Sequence, residues 1–179
     1  CPGPCASPGF PENDGDGLSD LLVGAYGNDT GGSIAGTAYL FRGPVEGELS
    51  LAVADAKFVG EKEVDNAGYA LASGDIDNDG YADCIIGAQS ESSGGTHAGA
   101  TYIVLGPIKG ELSLSEANAK ILGEDYNDQS GSAVSAGDVN IDGFDDVLIG
   151  APLTDIGDEA AAGAAYLLYG PVNGIVDLA

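Results

Sequence analysis

The sequence predicts an all-β chain made of β-propeller-type blades, each of four antiparallel strands, in three repeats of about 63 residues that form an incomplete or open ring. Three observations lead there. An acidic nine-residue stretch occurs three times, and its closing residues Asp20, Asp83 and Asp146 stand 63 residues apart both times. A fixed period of this kind marks a repeat architecture. Each acidic stretch runs directly into a short apolar segment, Leu21–Ala25, Cys84–Ala88 or Val147–Ala151, of a length that suits a buried strand. Glycine accounts for 30 residues, many at repeat positions, which favours short strands and turns over long helices.

Residues 1–11 are rich in Pro and Gly and read as an irregular leader. Cys1 and Cys5 flank Pro2-Gly3-Pro4 there and are candidates for a small local or interchain disulfide. Repeat 1 takes residues 12–67, repeat 2 residues 68–130 and repeat 3 residues 131–179. Repeat 2 shows the whole unit: strand A at 68–74, the acidic loop, strand B at 82–88, strand C at 99–105 and strand D at 119–123. Strand C, rich in aromatic and β-branched residues, is stopped by Gly106-Pro107, as its counterparts are by Gly43-Pro44 and Gly170-Pro171. Short helical turns are expected within 50–56 and 113–119. Strand A of repeat 1 is not recognisable and strand D of repeat 3 is missing, so the order is B-C-D, A-B-C-D, A-B-C. Open strand edges invite pairing with another chain, and head-to-tail contacts that do not close build filaments. One extra residue in the loop at 155–163 shifts Tyr166 to 64 residues after Tyr102. Cys84 stands where sister repeats have Leu21 and Val147 and reads as a small buried hydrophobe.

The acidic stretches are candidate cation loops. In Asp75-Ile76-Asp77-Asn78-Asp79-Gly80-Tyr81-Ala82-Asp83, carboxylates fall at positions 1, 3, 5 and 9 and glycine at position 6. Ca²⁺ takes several oxygens at short range, and a glycine allows the sharp turn that brings alternate residues inward. The candidate ligands are Asp75, Asp77, Asp79, the Tyr81 carbonyl and Asp83. In the last loop they are Asp138, Asn140, Asp142, the Phe144 carbonyl and Asp146. In the first they are Glu12, Asp14, Asp16, the Leu18 carbonyl and Asp20. Up to three Ca²⁺ are expected. An EF-hand is set aside, because it needs Glu at loop position 12, which here is Ile86.

Net charge is −24 with only five Lys and Arg, which argues against nucleic acid and against an anionic membrane surface. No apolar run reaches the length of a membrane helix. Asn28-Asp29-Thr30 is the single sequon and makes Asn28 a glycosylation candidate.

The segment Gly68–Asp75, its acidic loop and Cys84-Ile85-Ile86-Gly87-Ala88, together with Gly131–Pro152, resembles the FG-GAP repeat of integrin alpha-subunit propellers. That resemblance implies blades, Ca²⁺ held by the A–B loops at the outer edge of the propeller, and an extracellular, secreted or cell-surface setting. His97 is the sole histidine, its counterparts being Ile34 and Ala160 or Ala161, and no nucleophile or metalloprotease motif is present. The expectation is therefore a non-enzymatic, calcium-binding extracellular structural module. It would self-assemble as a homo-oligomer or filament, or pack on neighbouring repeats of a longer chain. The alternative is a fragment of an integrin-like adhesion propeller that binds a protein or a glycan.

Overall fold

A computed structural model describes residues 12–179; the leader, with Cys1 and Cys5, lies outside the described residues. Among the described residues twelve short strands make three sheets. Repeat 1 supplies β1 (Leu21–Ala25), β2 (Thr37–Phe41) and β3 (Ala56–Val59). Repeat 2 supplies β4 (Ala70–Gly74), β5 (Asp83–Ala88), β6 (Ala100–Val104), β7 (Gly110–Ser113) and β8 (Ala119–Leu122). Repeat 3 supplies β9 (Ala133–Gly137), β10 (Asp146–Ala151), β11 (Ala164–Leu168) and β12 (Gly174–Asp177). The expected A-B-C-D unit is β4-β5-β6-β8, antiparallel throughout. The described strands form no closed ring. The expected helical turns are 3₁₀ turns at Leu51–Val53 and Leu114–Glu116, capped by the hydroxyls of Ser50 and Ser113.

Two strands go beyond the four per repeat read from the sequence. β7 leaves its own repeat and pairs in parallel with β3 of the preceding blade, Ala56 opposite Gly110 through Val59 opposite Ser113. β12 does the same with β8. The sheets are therefore β1-β2-β3-β7, β4-β5-β6-β8-β12 and β9-β10-β11. Each blade that has a successor is finished by a strand of that successor.

The middle blade carries the core. Successive side chains of a strand point to opposite faces, and β5 is buried along its whole length. Cys84, Ile86 and Ala88 face blade 1, where, with Tyr102 of their own blade, they join Leu40 and Phe58. Ile85 faces blade 3 and joins Ile103, Ile121, Val147 and Ile149. Burial pushes the Cys84 thiol up, which keeps it protonated and inert. Blades touch through backbone at glycine: a Cβ on Gly87 would lie 2.0 Å from the Gly131 carbonyl oxygen, and one on Gly24 would lie 2.1 Å from that of Gly68. These glycines, which look interchangeable in sequence, set the blade-to-blade distance.

Candidate metal centres

The three acidic loops share one backbone course. Position 6 has positive φ in each: Gly17, Gly80 and Gly143. Position 4 does too: Gly15 at 79°, Asn78 at 57° and Ile141 at 64°. Glycine and asparagine tolerate this region; a β-branched side chain adopts it only with strain. Ile141 is also 90 % exposed, so nothing gained from burial offsets the strain. Ile141→Gly is expected to stabilise the chain by about 1 kcal/mol, read as a rise in melting temperature. An unchanged or lowered value would contradict the strain argument.

Carboxylates then shape each loop. The closing aspartates are buried, and each accepts two backbone N–H bonds. Asp83 takes Ile76 N at 2.8 Å and Gly106 N at 2.8 Å; Asp20 takes Asn13 N and Gly43 N; Asp146 takes Val139 N and Gly170 N. Position 1 folds the loop over itself: Asp75 accepts from Asp79 N and Gly80 N, Asp138 from Ile141 N, Asp142 N and Gly143 N, and Glu12 from Gly17 N. At position 5, Asp16, Asp79 and Asp142 accept the amides of Leu18, Tyr81 and Phe144.

The loops differ in what stands at their centre. Asp75, Asp77 and Asp83 each bring an oxygen within 4.8 Å of the others, the only such carboxylate group among the described residues. Asp77 Oδ1 is buried and has no hydrogen-bond partner. A buried, unpartnered carboxylate oxygen beside two others is costly without a cation, so these residues fit a hard cation such as Ca²⁺. In the last loop Asn140 Nδ2 donates to Asp142 Oδ2 at 2.9 Å, and Asp142 N donates to Asn140 Oδ1. In the first loop Asp14 Oδ2 lies 3.3 Å from Arg42 Nη1.

Burial raises Asp83 to about 7, against the lowering effect of its two N–H donors. Asp75 is raised too, by burial first, with Asp79 and Asp77 adding to it. Asp65, on the opposite loops, is raised by burial to about 6. A folded pKa above the unfolded one stabilises below the unfolded value and loses that contribution as pH rises through the folded value. In chelator the melting temperature is therefore expected to fall from pH 5 to pH 8, and the fall should shrink with Ca²⁺ present. A flat profile in chelator would contradict it.

Neighbouring loops are also tied together. Ala82 N donates to Glu12 O at 2.9 Å, and Asp145 N donates to Asp75 O at 2.9 Å while Asp145 Oδ2 accepts from Asp75 N. Asn13 is fully buried; its amide donates to Ala82 O and accepts from Ile108 N. Asp145, Asn13 and Arg42 were not singled out in the sequence, because none occupies a ligand position. Asn28, the sequon residue, is half-buried: it donates to the Tyr39 hydroxyl at 3.3 Å and accepts from Thr37 Oγ1 and Thr30 N. His97 lies in the B–C loop at φ 55°, matched by Ile34 at 55° and Ala161 at 50°, which fixes Ala161 as its counterpart.

Comparison with known proteins places these loops. The FG-GAP repeat model matches residues 67–104 and 130–168, and the chain carries these repeats. It is homologous to phosphatidylinositol-glycan-specific phospholipase D of Bos taurus, 34% identical over 113 residues, which is 60% of this chain and 14% of that protein. It is likewise homologous to integrin alpha-5 of Xenopus laevis, 32% identical over 124 residues, 66% of this chain and 11% of that one. Integrin alpha pat-2 of Caenorhabditis elegans is 27% identical over 180 residues, 92% of this chain and 14% of its own length. The chain thus spans between about one ninth and one seventh of the relatives it matches. Both matched segments contain a whole acidic loop, 75–83 and 138–146; loop 12–20 lies outside them. Among the described residues no helix is long and apolar enough to cross a membrane.

Proposed function

We propose that the chain is a non-enzymatic, calcium-binding extracellular structural module, in which Ca²⁺ in the A–B loops rigidifies blades that assemble with further blades. The observation that carries this is the Asp75, Asp77 and Asp83 group with its orphaned Asp77 oxygen, inside a matched FG-GAP segment. When bound, the ion neutralises the repelling carboxylates. This chain's residues shape the loop, bury its closing aspartate and couple it by backbone hydrogen bonds to the next loop. Assembly is supported by the strand exchange of β7 and β12, a ready means for one blade to dock on another. An excess of carboxylates suits a cation-rich extracellular medium.

Direct Ca²⁺ titration tests the metal reading. Asp79→Ala is expected to weaken binding at 75–83 and leave 138–146 able to bind; absence of any Ca²⁺ uptake at millimolar concentration would sink it. Sedimentation with Ca²⁺ and then chelator tests assembly, for which larger species that dissociate on chelation are expected. The integrin relatives favour a second reading, a recognition module for a protein or glycan. A monomer in both conditions that captures such a ligand would support that reading instead. The activity in the phospholipase's name belongs to that protein, of which this chain covers 14%.

A further inference from the structure

The first acidic loop departs from the second at two coupled positions. Position 2 is Asn13 where its counterparts are Ile76 and Val139, and the residue before Gly-Pro is Arg42 where its counterparts are Leu105 and Tyr169. In the second loop the pair is apolar: Ile76 is fully buried and Leu105 packs in the same cluster. In the first loop the pair is polar: Asn13 binds backbone of the next blade, and Arg42 reaches a candidate ligand. Arg42 Nη1 lies 3.3 Å from Asp14 Oδ2, and Nη2 donates to Ile108 O at 2.9 Å. Asn13 takes the other backbone group of Ile108. The guanidinium is thus fixed from both sides, by a candidate ligand carboxylate and by the backbone of the next blade.

Asp14 sits at position 3, the place Asp77 holds in the second loop. Asp14 Oδ1, like Asp77 Oδ1, is buried without a hydrogen-bond partner, but Asp14 already has a cation against its other oxygen, the Arg42 guanidinium, and Asp77 has none among the described residues. A guanidinium is always charged and scarcely deprotonates in a protein. Held in low dielectric beside a ligand carboxylate, it repels a divalent ion entering the same loop and neutralises the charge that would attract it.

We propose that Arg42 is the resident counter-ion of the first acidic loop. Loop 12–20 is then closed without metal and takes a divalent cation only weakly, while loop 75–83 depends on one. This deepens the calcium reading above and rests on it for the contrast between loops. The expected stoichiometry is two tight Ca²⁺ per chain.

The test is Ca²⁺ titration calorimetry, with Tb³⁺ luminescence as a second readout, on the parent chain and on Arg42→Leu. The substitution copies Leu105, and a third site at least tenfold tighter than in the parent is expected. Asp14→Asn in that background should abolish the gain, which assigns it to loop 12–20. If Arg42→Leu fails to fold, Asn13→Ile/Arg42→Leu rebuilds the apolar pair of the second loop and carries the same expectation. Three equivalent tight sites in the parent, or no gained site in either variant, would overturn the proposal. A parent that binds no Ca²⁺ would overturn the calcium reading; one site gained by Arg42→Leu in that protein would still support Arg42 as counter-ion, and none would overturn both.

Discussion

Removing divalent cations with chelator is expected to lower the melting temperature by about 10 °C or more relative to millimolar Ca²⁺. A ligand that binds only the folded chain stabilises it by mass action, about 4 kcal/mol per site at a thousandfold excess over Kd. Sensor-type calcium loops fall within that range of affinity at millimolar Ca²⁺. The effect should be large here because the cost of the empty loop is built into the fold. Asp83 is buried at the root of β5, the strand that packs on both neighbouring blades, and Asp77 holds an orphaned oxygen. Loosening at 75–83 is expected to reach loop 138–146, because Asp145 N donates to Asp75 O and Asp75 N donates to the Asp145 carboxylate. Differential scanning calorimetry with Ca²⁺, then chelator, then Ca²⁺ restored reads this directly. Identical melting in all three would refute it.

Lys120→Met is expected to cost about 3–5 kcal/mol, the usual result of stripping one partner from a buried ion pair. Lys120 Nζ lies 2.9 Å from Glu61 Oε1, 3.1 Å from Glu91 Oε1 and 5.2 Å from the centre of the Tyr102 ring. Glu61 comes from the first blade, whereas Glu91, Tyr102 and Lys120 belong to the second, so the ammonium joins two blades. Burial opposes its charge, but Glu61 and Glu91 hold its pKa above the ordinary lysine value. Glu91 is fully buried; burial would raise it, but Ser93 and Lys120 hold it below the usual range. Without Lys120 that carboxylate keeps Lys62 only at 3.8 Å, from an exposed side chain. Denaturant unfolding measures the loss. Lys120→Met/Glu91→Gln should recover part of it, and a loss under about 1 kcal/mol for the single variant would show the pair to be a mere surface contact.

The parts of the fold legible in sequence are those that depend on local pattern. Strands A to D fall within two residues of their expected bounds, since alternation, Gly-Pro stops and apolar runs are local signals. The loop carboxylates were legible from spacing alone, and their clustering at 75, 77 and 83 follows from it. What escaped is non-local. Gly110-Glu111-Leu112-Ser113 has little β-propensity and becomes a strand because β3, more than fifty residues earlier, offers it a ladder. Arg42 looks like an ordinary strand-end cation until the fold carries it to Asp14. Lys120 and Glu91 sit at unrelated places in the repeat and meet only when the second blade folds, and Glu61 joins them only when blades stack.

The exchange of β7 and β12 puts the sequence period and the modular unit out of phase. A chain cut at residue 67 would leave β3 without its closing strand, because that strand lies in the following repeat. An internal deletion of one whole period, residues 68–130, has a different fate. It brings Gly174–Asp177 to the place Gly110–Ser113 held, and the two segments share one register: Gly174 opposite Ala119 and Gly110 opposite Ala56. Whole-period loss or duplication thus reseals the seam, whereas cutting at the visible boundary tears it, and arrays of this kind can change length by internal recombination without passing through a broken intermediate.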